Sequence, residues 1–384
     1  MKTAVEPKNT TGTAAQPSQR LLSLDLVRGL TIMMMALVNN PGTWDHIYAP
    51  LEHAAWNGFT PTDFIFPNFL FIVGVSIVFA LSGKRGKPEE FNRVMLKVAK
   101  RGAILFLIGV GITAFVINFD FSHLRIPGVL QRIGLVFVIA SALFLKVGDK
   151  TLAYTAFGLL IAYYLLMNFV PVPGFGPANL GAETNLGAWF DRLVFTTDHL
   201  YRHTKTWDPE GLFSTIPSVS TGLFGVLTGI ALKRDDAPKS KLKKLLGIGF
   251  LFVLAGVATN FAFPINKSLW TSSFVLLTSG LSMLLVGLSY WLVDVQGSRW
   301  WTAPFLAFGV NSIFAYLCSE ILPTTLTKIS LGGEETVFTW LFKNVYVAIF
   351  ANPYHASHAW AITWVLLILA LVWFLHKRNI MVKI

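Results

Sequence analysis

Residues 63–81, DFIFPNFLFIVGVSIVFAL, run for nineteen positions with a single charge, the acid that opens them. A helix rises about 1.5 Å per residue, so this stretch reaches about 28 Å, close to the ~30 Å hydrocarbon core of a bilayer. It has no polar face, as expected of a helix surrounded by lipid or other helices. The chain before it, residues 41–62, contains no lysine or arginine. The chain after it, GKRGKPEEFNRVMLKVAKR over residues 83–101, is strongly basic.

Similar apolar runs lie near residues 24–40, 102–118, 129–145, 151–170, 217–232, 245–263, 271–293, 302–322 and 356–375. The expected fold class is all-α, a polytopic membrane helix bundle of about ten transmembrane helices. It would be eleven if 334–350 (EETVFTWLFKNVYVAIF) also crossed. An eleventh crossing would export the basic tail HKRNIMVKI, so that segment reads as an interfacial or re-entrant helix. Composition agrees: of 384 residues 54% are hydrophobic, 14% aromatic and 13% charged, with a mean hydropathy of +0.58. Soluble chains carry about 25% charged residues, so a soluble enzyme, a disordered chain and a secreted disulfide scaffold are excluded. One cysteine, Cys318, excludes an intrachain disulfide or a cysteine-cluster metal site. Residues 1–20 are polar, lack the apolar core of a signal peptide, and read as a disordered cytoplasmic tail. Residues 21–384 then form one transmembrane domain.

Ten spans put both termini on one side. On that side fall 22 lysines and arginines, against 7 in the opposite loops, which places both termini in the cytoplasm. The net charge of +11 is therefore a membrane-orienting rim and not a nucleic-acid surface. Seven of the eight histidines fall on the outer side. The outer loops, above all 41–62 and 171–216, are long and rich in Trp, Asn, Asp and Pro.

Several outer stretches hold residues that could bind or react. Asn39 ends the first span, and the loop after it holds His53, Trp56 and Asn57. Asp63 opens the second span, where an acid favours the positive end of the helix dipole. Two readings stay open: Asp63 as a helix-terminal acid with His53 as a hydrogen-bonded interface histidine, or both as reacting groups. Arg125-Ile-Pro-Gly-Val-Leu-Gln-Arg132 begins the fourth span and carries Gln131 and Arg132 about one turn into the membrane. An intramembrane arginine needs a partner, as a site or as a structural pair. Asp208 and Glu210 stand just outside the sixth span; Asn266, Lys267 and Trp270 stand before the eighth. Trp270 alone would suit an interfacial belt. Asp25 and Arg28, at i,i+3, predict a local ion pair. His199/His203 and His355/His358 have spacings compatible with shared metal ligation, but no cysteine or acid motif supports it, and no metal is expected.

Together these stretches resemble one family. Arg20-Leu-Leu-Ser-Leu-Asp-Leu-Val-Arg-Gly29, Val38-Asn39, His53-Ala-Ala-Trp-Asn-Gly58, Thr62-Asp-Phe-Ile-Phe-Pro67, Arg125–Ile133, Asp208–Pro217 and Pro264–Ser273 are similar to the membrane domain of the heparan-α-glucosaminide N-acetyltransferase family, in order from about residue 20 to residue 320. The resemblance implies transfer of an acetyl group from cytosolic acetyl-CoA, a co-substrate, to an amino sugar on the far side of the membrane. It also implies that His53 is the active histidine and Asn39 the active-site asparagine. The large N-terminal lumenal domain of the lysosomal enzyme is not seen here, so a bacterial inner membrane with outer loops in the periplasm is expected.

Layout and resemblance agree. Lys97, Lys100, Arg101 and Lys243 could hold the CoA phosphates. The acceptor would sit among Trp56, Asn57, Asp63, Arg125, Gln131, Arg132, Asp208, Glu210, Asn266, Lys267 and Trp270. Membrane lipid and an amino sugar are the expected partners, without nucleic acid, and a homodimer is left open. His53 is expected to act as general base in direct transfer, with a covalent acetyl-histidine route as its competitor. The competing function is a transporter for an N-acetylated sugar, against which stands the lack of a visible inverted repeat.

Overall fold

A computed structural model describes residues 21–382. The expected disordered tail, residues 1–20, lies outside them. The chain begins with α1 (Leu22–Val38), α2 (Pro61–Leu81), α3 (Pro88–Val116), α4 (Val129–Lys146) and α5 (Asp149–Phe169). A short outer helix, α6 (Leu186–Phe195), precedes α7 (Thr215–Lys233), α8 (Pro238–Thr259) and α9 (Ser272–Ser289), which runs on as a π-helical turn over Tyr290–Val295. Then come α10 (Ala303–Val310), α11 (Ser312–Lys328), a two-strand hairpin of β1 (Ser330–Gly332) and β2 (Glu335–Thr336), α12 (Val337–Leu341) and α13 (Pro353–Lys377). Proline starts α2, α3, α8 and α13, where its missing N–H costs nothing and its fixed φ suits the first turn.

The bundle is all-α and polytopic. Among the described residues eight single helices are long and apolar enough to cross a membrane, and α10 with α11 raises this to nine if that bent pair is one span. At seventeen residues, α1 is slightly shorter than these and occupies the first expected position. Each of the ten expected positions is thus helical. The span expected over 302–322 is broken in two: α10 and α11 meet at 84°. Asn311, at the break, accepts from Val382 N at 2.9 Å and donates to Ile380 O at 3.1 Å, tying the bend to the C-terminal segment. The 334–350 stretch folds as the end of the hairpin, α12 and a π-helical turn over Phe342–Val347, too short to cross. Asp25 and Arg28 form the expected ion pair at 3.0 Å, and Arg28 also reaches Ser76 Oγ at 2.8 Å.

Helix α7 is the centre of the bundle and mostly buried among its neighbours, whereas the outlying α8 is mostly uncovered. Lipid tails offer no hydrophobic drive between helices, so close approach through small residues must hold them. At the α2–α7 crossing a Cβ on Gly225 would lie 2.0 Å from Phe71 O, and one on Gly74 would lie 2.0 Å from Gly222 O. Those contacts are with backbone, which cannot swing away. Gly225→Leu is therefore expected to cost more than about 3 kcal/mol. Its readout is loss of a monodisperse peak and a lowered melting temperature in detergent. Gly158→Leu on α5, where a Cβ meets nothing within 4 Å, should leave both unchanged.

Candidate active site

Four outer loops meet above the bundle. The α1–α2 loop is tied to the α8–α9 loop by Gly58 N to Ile265 O at 2.8 Å and by Asn266 Nδ2 to Asn57 Oδ1 at 3.1 Å. Gly58 has φ +129°, a conformation that favours glycine. The α5–α7 loop joins through Trp56 Nε1 to Leu180 O at 3.0 Å, and the α3–α4 loop through Ile126 N to His199 O at 3.0 Å.

His53 is placed by Asp63. Its Nδ1 donates to Asp63 Oδ1 at 2.7 Å, leaving Nε2 with a lone pair. The other carboxylate oxygen, Oδ2, accepts from Ala54 N at 3.1 Å, Thr60 N at 3.0 Å and Thr60 Oγ1 at 3.2 Å. Asp63 is thus the third residue of α2 bonded back to its N-cap, and an orienting group for the imidazole. The two side chains differ in access: 48% exposed for His53 and 1% for Asp63. Lys267 Nζ lies 3.1 Å from Nδ1 and 3.0 Å from Nε2, so it rests against the ring and not along one lone pair. Burial pulls the Lys267 ammonium below the usual lysine range, with Glu210 and Asp63 opposing. The loop that presents it is pinned by Asn266, whose Oδ1 accepts from Leu269 N at 2.8 Å and whose backbone N donates to Thr271 Oγ1 at 3.1 Å.

A second cluster faces this one. Arg125 Nε donates to Asp208 Oδ2 at 2.8 Å, and its Nη2 donates to Asp208 Oδ1 and Glu210 Oε2, both at 2.6 Å. Its guanidinium lies 4.4 Å from the centre of the Tyr201 ring. Burial works against the Arg125 cation, but Asp208 and Glu210 more than offset it and hold it above its ordinary value. Burial drives the Asp208 carboxyl up. It opposes ionised Glu210 too, yet Arg125 and Lys267 together keep Glu210 below the usual carboxylate range.

The remaining expected residues have other surroundings. Trp270 is fully buried; its Nε1 donates to Thr221 Oγ1 at 3.2 Å and the Arg132 guanidinium sits 4.9 Å from its ring centre. Arg132 is buried too, donates to Gly211 O at 2.8 Å and to Ser214 Oγ, and leaves Nε and Nη1 without hydrogen-bond partners among the described residues. Gln131 Nε2 donates to Ile126 O at 3.0 Å. Asn39 caps α1 and its amide reaches Glu320 Oε1 of α11 at a long 3.5 Å; no hydrogen bond joins it to His53 among the described residues. Trp56 meets Trp207 edge to face, with centroids 5.1 Å apart. Lys97, Lys100 and Arg101, in the first half of α3, and Lys243, in the second turn of α8, are exposed. His199 Nδ1 donates to Leu124 O at 2.8 Å, while His355 and His358 pack on Tyr48. Among the described residues no group of three or more His, Cys, Asp or Glu could hold a metal ion.

Three residues at this face were not picked out in the sequence: Asp191, Trp207 and Glu320. Asp191 carried a signal. In the amphipathic α6, it falls on the buried face with Gly187 and Ala188, at the i+3 and i+4 spacing of a core position. An acid there asks for an explanation. Glu320 carried a signal as well, being an acid within an apolar stretch.

The family model described as heparan-alpha-glucosaminide N-acetyltransferase, catalytic, matches residues 20–184, which include Asn39, His53, Asp63, Arg125 and Arg132. The heparan-alpha-glucosaminide N-acetyltransferase of Mus musculus is 31% identical over 391 residues, covering 87% of this chain and 58% of the mouse protein. That of Homo sapiens is 30% identical over 358 residues, covering 79% of this chain and 53% of the human protein. The chain spans just over half the length of these relatives. Shared motifs, an apolar helix bundle and identity over most of the chain converge: this is a multi-pass membrane protein that belongs to the heparan-α-glucosaminide N-acetyltransferase-like family.

Proposed function

We propose that the chain is a transmembrane acetyltransferase. It takes the acetyl group of acetyl-CoA at the cytoplasmic side and transfers it to the amine of a glucosamine-like sugar at the opposite, periplasmic side of a bacterial inner membrane. The observation that carries this reading is the His53–Asp63 hydrogen bond at the outer end of the bundle, with a lysine against the imidazole and an acid-rich cluster facing it. A scaffold or channel has no use for an oriented, half-exposed imidazole.

In this reaction the acceptor nitrogen bonds to the thioester carbonyl carbon. His53 Nε2 takes the proton that the nitrogen sheds, the C–S bond breaks, and the CoA thiolate leaves and is reprotonated. Asp63 keeps Nε2 unprotonated and steadies the imidazolium that forms. Lys267 Nζ is the cation nearest the reacting atoms and stabilises the oxyanion, with the Asn39 amide as a second donor. One such donor is worth roughly 3 kcal/mol in comparable sites. Lys97, Lys100, Arg101 and Lys243 meet the CoA phosphates at the basic inner rim, where the 22-to-7 excess of lysine and arginine supports the assigned orientation.

The test is CoA release from acetyl-CoA by purified protein, with and without glucosamine. Wild type should show acceptor-dependent release, and His53→Ala should lose about 10² to 10⁴-fold of it while eluting and melting as wild type does. No release by wild type, with no acetyl-CoA binding by calorimetry, would sink this reading and leave transport of an N-acetylated sugar in its place. Labelled acetyl on His53 without acceptor would replace direct transfer by the covalent route.

A further inference from the structure

The lysine that rests against the imidazole is itself an amine. Lys267 Nζ lies 3.0 Å from His53 Nε2 and 3.1 Å from Nδ1. Among the described residues it is the only lysine within hydrogen-bond distance of a histidine ring, and it has no ion pair. The two acids whose charge acts on it are engaged elsewhere, Asp63 with His53 and Glu210 with Arg125. The other lysines of the outer loops have no such neighbour: Lys205 and Lys343 are exposed, and Lys328 donates to Val116 O at 3.3 Å and to Asn118 Oδ1 at the end of α3.

This placement lets Lys267 act in two ways. As an ammonium it holds the oxyanion during turnover. As a free amine it is a nucleophile on the same carbonyl group, carried on a flexible stem that can move Nζ from the oxygen toward the carbon. Burial holds its ammonium below the usual lysine range, so more of the free amine is present near neutral pH than on a surface lysine. The free lone pair of His53 Nε2 stands ready to take a proton from it.

We propose that Lys267 is a modification site: when acetyl-CoA is bound and the acceptor is absent, Nζ takes the acetyl group itself and the enzyme is silenced. The proposal rests on the acetyltransferase reading for delivery of the thioester to His53. The Nζ lone pair bonds to the carbonyl carbon, the C–S bond breaks and the CoA thiolate leaves. His53 Nε2 takes the proton that Nζ sheds and returns it to the thiolate, so the products are an acetylated lysine and free CoA. An amide, unlike an acetyl-imidazole, does not pass its acetyl group on. The cation nearest the reacting atoms is then gone, and the added acetyl group lies beside the imidazole, where the acceptor amine must stand. A bound sugar occupies that place first, so acceptor supply decides between turnover and silencing.

The test incubates the full chain in detergent with isotope-labelled acetyl-CoA, with and without saturating glucosamine. Peptide mass spectrometry locates the label, and CoA release is measured before and after. Without sugar, label should build up on Lys267 toward one acetyl group per chain and survive neutral hydroxylamine, which strips an acyl-imidazole. Glucosamine should suppress it, His53→Ala should slow it by about 10²-fold or more, and the labelled protein should turn over roughly tenfold slower or worse. Lys267→Arg keeps a cation and forms no stable acetyl amide, so preincubation with acetyl-CoA should leave its turnover where it began. Label spread evenly over Lys205, Lys328 and Lys343 as well would mean uncatalysed acetylation and overturn the proposal, as would labelled Lys267 with full turnover. Those wild-type results decide even if either variant fails to fold. Acceptor-dependent CoA release with Lys267 unlabelled removes this proposal and leaves the acetyltransferase reading. Selective label on Lys267, in a protein whose CoA release ignores glucosamine, keeps the site and removes the sugar acceptor.

Discussion

Asp63→Asn is expected to lower turnover by roughly 10³ to 10⁴-fold while leaving the fold intact. The two carboxylate oxygens have different tasks. Oδ2 accepts from the backbone N–H groups of Ala54 and Thr60, and Oδ1 accepts from His53 Nδ1. An asparagine has one acceptor and one donor to fill both places. Two backbone N–H groups point at the Oδ2 position, so the amide oxygen must go there. The NH2 group is then left facing His53 Nδ1, which has to become the acceptor. The ring proton moves to Nε2, and the lone pair that would take the acceptor's proton is gone. Steady-state CoA release checks the loss, and an unchanged melting temperature checks that the helix start survives. Turnover within a factor of ten of wild type would show that Asp63 only caps α2.

Arg125→Met is expected to destabilise the protein by about 3–5 kcal/mol, because it strands two buried carboxylates. Asp208 has a fully buried side chain and Glu210 one that is 8% exposed, and Arg125 is the cation both touch. The pH dependence of the Glu210 contribution should invert, while Asp208, already driven up by burial, should rise further. In wild type, Arg125 and Lys267 hold Glu210 below the usual carboxylate range, so its contribution is present above its ordinary value of 4.5 and is lost as pH falls below that. Without Arg125, burial dominates both acids. Their values rise, and stability is lost as pH increases from the ordinary carboxylate range toward neutrality. Thermal melts across pH 4.5–8 in detergent should therefore show the variant recovering toward acid. Adding Asp208→Asn and Glu210→Gln to Arg125→Met should restore much of the loss at neutral pH, since no charge is then stranded. A single variant as stable as wild type at pH 7.5 would show that the cluster is wet and contributes little.

The spans were legible because a bilayer imposes a one-dimensional requirement: about twenty consecutive apolar residues, with basic residues biased to one side. DFIFPNFLFIVGVSIVFAL satisfies it without reference to any other part of the chain. The bend at Asn311 was not legible. It is settled by Asn311 bonding to Ile380 and Val382, some seventy positions away. The polar outer loops were readable as the place where chemistry concentrates, and His53 could be singled out from its motif. Its partnership with Asp63 could not be, since most of the nine residues between them are irregular loop, which allows many geometries.

Trp270 shows the same limit. Before a span it suits an interfacial belt, yet it lies fully buried between Phe66 and Phe274 with Arg132 against it. Asp191 is the converse: the pattern of α6 placed an acid on a core face, but nothing local said that its carboxylate would accept from Phe213 N, twenty-two positions on.

Local hydrophobicity and charge bias were thus enough to tell a polytopic helix bundle, its spans and the face that carries the polar groups, because those properties sum over neighbouring residues. Which histidine nitrogen is free and which acid meets which cation depended on the assembled bundle. Each is a matter of ångström-scale contacts, from ten positions apart for His53 and Asp63 to 83 for Arg125 and Asp208 and 209 for Asn57 and Asn266, and the long-range ones exist only once α2, α4, α7 and α9 have packed and brought their outer ends together.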